Sequence, residues 1–311
     1  MPKAPPRTTA ILSAVFVTIL WSTSWILIKI GLRSSLPPIT FAGLRYGLAF
    51  LVLVPFVILN TERRAELRGL GRDDWLKLAL LGVLTYTVTQ TAQYVGLTYL
   101  PAAMLSLLLN LSAFFVALGG IHTIGERPSP PQWAGILLTV LGTGVYFLPV
   151  LLTQAQWIGI LAALICLTGN VIASLLGRQV NRRQNLSPLL VTFVSMGVGS
   201  ILMIITGLLT QGLGKLTLQD WAIIAWLAVV NTALTFTVWN RTLQVLTAFE
   251  SSIIANLMMP QIAILAYIFL KESLSLKEIM GLILVGAGVL LVQLRRSRAD
   301  SRSKYPVERA V

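Results

Sequence analysis

This chain carries one pattern twice. Moved back by 146 positions, its second half lays its landmarks over the first. Asp220-Trp221 falls on Asp74-Trp75, Asn256-Leu257 on Asn110-Leu111, Glu272 on Glu126, Ser275 on Ser129, Gly281 on Gly135 and Gly288 on Gly142, with no gap between the first pair and the last. Self-similarity at a fixed offset means two copies of one structural unit packed against each other. Both copies are strings of apolar segments, so the unit is a set of helices that hide apolar surface on every side.

Composition says what surrounds those helices. Of 311 residues, 56% are hydrophobic and 11% charged, and mean hydropathy is +0.81. A soluble domain carries about 25% charged residues, whereas a chain facing lipid has to avoid them. The net charge of +13 does not describe a nucleic-acid surface, because the basic residues sit in the gaps between apolar runs. One cysteine, Cys166, excludes an intrachain disulfide and a cysteine-cluster metal centre. One histidine, His122, leaves little for a zinc site or a Ser-His-Asp arrangement. No G-x-x-x-x-G-K-[ST] loop is present, which argues against direct ATP drive. No cofactor and no metal are expected. The first apolar segment is too long for a signal-peptide core and lacks a cleavage site, so it reads as a retained helix.

Crossing a bilayer takes about 20 mainly apolar residues. Ten such runs are predicted, at 9–31, 37–59, 75–97, 101–122, 131–149, 157–178, 187–209, 219–243, 248–270 and 276–294. The expected fold class is an all-α polytopic membrane protein of ten transmembrane helices. Residues 1–8 form an N-terminal segment, 9–149 the first five-helix repeat, 157–294 the second, and 295–311 a basic tail expected to be unstructured. Eighteen Lys and Arg fall on the side of the two termini and five on the other, with Arg45 inside a span. The positive-inside rule then places both termini in the cytoplasm. Five is odd, so the second copy enters the membrane from the opposite side and the repeats are inverted. Helix starts support the register. Ser129 to Gln132 and Ser275 to Glu278 have capping-box spacing and match at the repeat offset, with Thr217 to Asp220 and Thr247 to Glu250 as further starts.

Polar side chains within apolar helices are costly in lipid and turn inward. In helix three, Tyr86, Gln90 and Gln93 follow i, i+4, i+7 and share a face. That face is either a cavity wall or a packing seam held by interhelical hydrogen bonds. Trp21 and Trp25 lie one turn apart in helix one. Tryptophan ordinarily sits at the membrane interface, but Trp21 is near mid-span, where its ring either stacks on a substrate or packs. Arg45 lies about 10 Å into helix two at 1.5 Å per residue. It is placed to recognise a carboxylate or to snorkel outward. The corresponding cavity residues of the second copy are Asn170, with Thr168, in helix six and Asn231, Thr235 and Trp239 in helix eight. Asn110 and Asn256 are repeat partners mid-way along helices four and nine, and Pro260 frees a carbonyl one turn beyond Asn256. These three are gating or structural candidates. So are Glu126 and Glu272, each in a short turn before a helix start, where the helix dipole favours a carboxylate. Glu250 reads as a cap, Lys29 as snorkelling to the surface and His122 as interfacial.

The chain resembles the drug/metabolite transporter superfamily, of the EamA type. The likeness rests on Leu20-Trp21-Ser22 through Ile28-Lys29, on Phe41-Ala42-Gly43-Leu44-Arg45-Tyr46 with Ala49, on Gly125-Glu126-Arg127 followed by Gly135 and Gly142, and on Lys271-Glu272-Ser273-Leu274 followed by Gly281 and Gly288. It covers residues 9 to 294, and helix seven departs from it in having no counterpart of Arg45. The resemblance implies export or exchange of small metabolites at a plasma membrane, of the bacterial inner-membrane kind. One branch exports aromatic amino acids and related compounds.

The expected function is a secondary transporter of a small amphipathic metabolite, an amino acid or related compound, working by alternating access between the inverted repeats. Its partners are then that small-molecule substrate and the lipid bilayer, without nucleic acid, as a monomer or a dimer. A sugar-phosphate or nucleotide-sugar exchanger needs several inward cations, and a polytopic membrane enzyme needs a clustered acid, histidine or metal set. Reporter fusions at Val311 test the parity of the spans. A cytoplasmic reporter should be active there and a periplasmic one silent; the reverse result refutes ten crossings.

Overall fold

The computed structural model describes residues 5–33, 36–123, 129–147, 153–182, 186–272 and 275–303, and among these the secondary structure is helix without strand. The first copy opens with α1 (Arg7–Leu32) and α2 (Pro38–Ile58), followed by a short surface helix α3 (Thr61–Arg68). Then come α4 (Arg72–Gly82), a π-helical stretch Val83–Gln90 and α5 (Thr91–Tyr99) as one continuous rod. The copy ends with α6 (Ala102–Asn110), α7 (Ser112–Thr123) and α8 (Pro130–Phe147). The second copy has α9 (Gln154–Arg182), α10 (Pro188–Gln211), then α11 (Leu218–Ala228), a π-helical stretch Val229–Leu234 and α12 (Thr235–Thr242). It closes with α13 (Ala248–Asn256), α14 (Met258–Leu265) running into a π-helical stretch Ala266–Leu270, and α15 (Leu276–Ser303).

The apolar runs of the sequence are helical over their described residues apart from run ends and single-residue breaks at Leu111 and Leu257. Among these residues, six helices are long and apolar enough to cross a membrane: Arg7–Leu32, Pro38–Ile58, Ala102–Ile121, Gln154–Arg182, Pro188–Gln211 and Leu218–Thr242. Shorter apolar helices cover Trp133–Tyr146 and Ile254–Leu270. The distribution of side chains is that of a protein in lipid. Leu51, Phe56, Leu161, Ile205 and Ile283 are exposed, while Thr18, Ser22, Arg45 and Asn231 are buried. With no water in the bilayer core, polar groups find their partners inside the bundle.

Helix starts follow the sequence signals. Thr217 with Asp220 and Thr247 with Glu250 form complete capping boxes, and the Glu278 amide donates to Ser275 Oγ at 3.3 Å. The Gln132 side chain lies outside the described residues. Two segments outside the predicted apolar runs are helical, the second against expectation. The loop after α2 contains α3, nucleated by the Asn60 side chain accepting from the Arg63 amide at 3.0 Å; a charged helix has no apolar run to announce it. The tail expected to be unstructured continues α15 to Ser303; up to that residue it holds Arg and Ala, which are good helix formers, and no Gly or Pro to stop it.

The copies interlock symmetrically. α8 packs on α15 and α2 on α10, while α1 lies against α12, α13 and α14 as α9 lies against α5, α6 and α7. Glycines permit the α8–α15 contact: a methyl on Gly142 would stand 2.8 Å from the Gly281 carbonyl oxygen, and one on Gly288 would stand 2.7 Å from that of Gly135. Small residues let backbones approach in lipid, where no hydrophobic force drives helices together. Gly281→Leu should therefore lower stability in detergent by about 1–3 kcal/mol, seen as an earlier unfolding midpoint. An unchanged midpoint would mean that α8 and α15 do not approach as described.

Candidate functional site

A cavity of about 190 Å³ lies between the two copies. Its first-copy wall is the α4–α5 rod, and the π-helical stretch in that rod shapes it. A wide turn carries more residues per revolution and is frequent at functional sites. Here it turns Thr85, Tyr86, Thr89, Gln90 and, one turn on, Gln93 to the cavity. The Thr89 hydroxyl donates to the Leu84 carbonyl at 2.7 Å, five residues back, and so steadies the wide turn. The second copy repeats the device: Thr232 Oγ1 donates to the Leu227 carbonyl at 2.7 Å, again five residues back.

A continuous aromatic cluster joins this wall at Tyr86 to α1, α2 and α12. The Trp21 ring lies 5.1 Å from Phe236 and 5.0 Å from Trp239. Tyr86 lies 5.1 Å from Phe236 and 5.3 Å from Tyr46. These tilted contacts are the geometry aromatic rings prefer. Trp21 is fixed further by its Nε1, which donates to Thr235 Oγ1 at 2.9 Å.

Arg45 is the one charged side chain among the described residues lining the cavity. It is 2% exposed. Its Nε donates to Thr232 Oγ1 at 2.7 Å, one Nη to the Asn231 carbonyl at 3.2 Å, the other to the Tyr94 hydroxyl at 3.3 Å, and the guanidinium carbon stands 5.0 Å from the Tyr46 ring centre. All of these partners are neutral. Among the described residues no carboxylate lies within ion-pair distance of it. A guanidinium offers five N–H donors, and a buried charge is costly unless paired.

The cavity is closed unequally. On the face of the N-terminus it reaches Gly177, Leu243 and Ser251, near the ends of α9, α12 and α13; towards the other face it stops at Gln93 and Ser106. Beyond that point Lys29 Nζ donates to the carbonyls of Leu97 and Leu100 at 2.7 and 2.6 Å, and Glu272 Oε1 accepts from the Ala102 amide at 3.2 Å. Lys29 thus turns inward to hold a helix end instead of snorkelling to the surface. On the N-terminal face Arg178 donates to the Leu243 carbonyl at 2.6 Å, and Arg7 pairs with Glu250. Leu97 and Leu243 are themselves 146 residues apart, so a basic side chain holds the equivalent corner of each copy.

Of the residues singled out in the sequence, Trp21, Trp25, Arg45, Tyr86, Gln90, Gln93, Asn170 and Trp239 all line this one cavity, as do Asn110 and Asn256. Asn231 and Thr235 do not, which corrects the expected face of helix eight. The π-helical stretch shifts the register there, and both side chains are spent on α1: Asn231 Nδ2 donates to the Leu20 carbonyl and, at 3.1 Å, to Thr23 Oγ1, while Thr235 holds Trp21. Pro260 follows the lining residues Met258 and Met259 in α14, Glu272 is at the far corner, and Glu126 lies outside the described residues. Polar spacing alone misses Phe236 and Tyr46. Phe236 is signalled by the repeat, being the partner of Gln90 at the 146 offset; Tyr46 follows Arg45 and has no polar spacing to mark it.

The EamA-like transporter family matches residues 8–148 and 156–294, once in each copy. The uncharacterized transporter YvbV of Bacillus subtilis is 26% identical over 305 residues, covering 94% of each chain. A probable amino-acid metabolite efflux pump of Salmonella typhimurium is 25% identical over 292 residues, covering 89% of this chain and 92% of its own. One of the same description from Escherichia coli is 32% identical over 131 residues, 42% of this chain and 40% of its own. A crystal structure superposes with a TM-score of 0.74 at 18% identity, over 93% of this chain and 99% of that one.

Asn231 belongs to a helix joint and Gln90 to a wall, and the two should separate on substitution. Asn231→Leu should lower stability by about 1 kcal/mol, the scale of a polar contact in a membrane protein. Gln90→Leu should stay within about 0.5 kcal/mol, as substitutions that break no contact do. Unfolding midpoints of the purified variants decide it; equal losses would make Gln90 a packing residue.

Proposed function

Because the chain belongs to the EamA-like transporter family, we propose that it is a secondary transporter that exports or exchanges a small amphipathic metabolite bearing a carboxylate, an amino acid or a close relative. The observation that carries this reading is Arg45, a buried cation on the cavity wall whose hydrogen-bond partners are all neutral. A substrate carboxylate supplies the missing anion, and two parallel N–H···O bonds suit a guanidinium. The cluster of Trp21, Phe236, Trp239, Tyr46 and Tyr86 beside it accepts an apolar or aromatic side group. The amides of Gln90, Gln93 and Asn170 complete the wall with groups able to donate or accept. A phosphorylated substrate would need several cations, and one is at hand. Relatives described as probable amino-acid metabolite efflux pumps agree with this substrate class.

The transporter spans the plasma membrane ten times with both termini in the cytoplasm, as two inverted five-helix repeats. Rocking of one repeat against the other opens the cavity to one face and closes it to the other. The contacts of Lys29 and Glu272 then hold the outer face shut in the state described above, and those of Arg178 and Arg7 belong to the inner one.

Purified protein in vesicles preloaded with L-phenylalanine should exchange labelled L-phenylalanine, and phenethylamine, which lacks the carboxylate, should not compete. Arg45→Met should reduce exchange about tenfold to a hundredfold, the worth of a charge-assisted hydrogen bond. Competition by phenethylamine equal to that of phenylalanine, or full exchange by Arg45→Met, refutes a carboxylate at Arg45.

A further inference from the structure

The repeat-related asparagines are bonded to each other, and unequally. Asn256 Nδ2 donates to the Asn110 carbonyl at 3.2 Å, across 146 residues, which is the repeat offset itself. The break between α6 and α7 leaves that carbonyl available, because the Phe114 amide, its ordinary helical partner, bonds to Leu111 at 3.1 Å. The mirror-image bond is missing. Asn110 Nδ2 has no hydrogen-bond partner, although Asn110 is 4% exposed and lies on the cavity wall. The acceptor that would mirror the bond is the Asn256 carbonyl, and Pro260, four residues on, has no N–H to occupy it. Each copy therefore offers one amide donor and one carbonyl released at a helix break, and one of the two possible bonds is closed.

We propose that Asn110 and Asn256 exchange roles as the transporter changes face. In the state described here Asn256 closes the break at Asn110, and the Asn110 amide is left to donate to an acceptor oxygen of the substrate. With the cavity open to the opposite face, Asn110 closes the break at Asn256, and the Asn256 amide takes over the substrate. Inverted repeats build two states of like construction, so a bond made by one member in one state is made by its partner in the other. The exchange keeps one donor facing the cavity in each state while helices four and nine pivot about each other. It rests on the transport reading above and assigns substrate contact to a pair that sequence alone offers as gate or scaffold.

The two asparagines then bias the equilibrium in opposite directions. Asn110→Ala keeps the Asn110 carbonyl, and with it the bond of the present state, but removes the bond of the other. Asn256→Ala does the reverse. The readout is the rate at which a membrane-impermeant maleimide, added from the face opposite the N-terminus, labels Ser106→Cys in a Cys166→Ser background of the full chain. Labelling should fall about threefold or more in Asn110→Ala and rise about threefold or more in Asn256→Ala, a modest shift of a two-state population. Leucine, of similar size and without a donor, replaces alanine where a variant is not monodisperse. Labelled L-phenylalanine exchange, run in parallel, should show a raised KM for Asn110→Ala. Shifts in the same direction, or no shift in either variant, overturn the exchange whether or not phenylalanine is carried. Opposite shifts without phenylalanine exchange uphold it and refute the substrate reading instead.

Discussion

No water reaches the core of a bilayer, so every carbonyl a helix gives up there must be met by the protein itself. The architecture of this chain follows from where it gives them up. The π-helical stretches in helices three and eight and the breaks in helices four and nine lie beside the cavity between the copies. The released groups are met by side chains from the other copy or from the same turn: Asn256 meets the Asn110 carbonyl, Arg45 meets that of Asn231, and the Thr89 and Thr232 hydroxyls bridge the wide turns. Irregular backbone is thus gathered mainly at the surface the copies share; the third π-helical stretch, Ala266–Leu270, lies apart from it and carries the exposed side chains Tyr267, Ile268 and Phe269.

The duplication makes the same chemistry recur on both faces. Lys29 ties helix one to the Leu97 carbonyl, and Arg178 ties helix six to the Leu243 carbonyl. In each case a long basic side chain reaches the last turn of a helix, where carbonyls lack helical partners and the dipole favours a cation. Contacts of this kind are few and local. They hold a corner without welding the copies together, which is what a structure that opens alternately requires. The glycine-mediated approach of α8 to α15, by contrast, is close and continuous, and under the proposed rocking it is the contact suited to serve as a pivot.

Much of this is legible in the residues. The offset of 146, seen in landmarks such as Asp74-Trp75 and Asp220-Trp221, announces the two copies. The cost of polar groups in lipid is enough by itself to point Gln90 and Gln93 inward, whereas for Arg45 the sequence leaves snorkelling open and only its bonds to Thr232, Asn231 and Tyr94 place it inside. What stays hidden does so for physical reasons. A π-helical turn has no strong residue signature, so regular helical spacing puts Asn231 and Thr235 on the wrong side of helix eight. Lys29 near a helix end is as compatible with snorkelling as with an inward bond, and only the position of the Leu97 and Leu100 carbonyls decides between them. The helix α3 carries charge instead of an apolar stripe, so hydrophobic periodicity passes over it. Phe236 is recoverable, since a residue aligned with Gln90 by the repeat inherits its position even without its polarity.

The claim on which the rest depends is that the two copies rock about the cavity and open one face as they close the other. Spin labels on cysteines test it directly: Asp73→Cys with Arg241→Cys across the N-terminal face, and Tyr99→Cys with Leu276→Cys across the opposite face, each pair in a Cys166→Ser background. All four positions are solvent-exposed. Pulsed dipolar distances recorded with and without saturating L-phenylalanine should shift in opposite senses, one pair lengthening as the other shortens. Distances that change together at both faces, or that stay fixed at both, would contradict rocking between two inverted repeats.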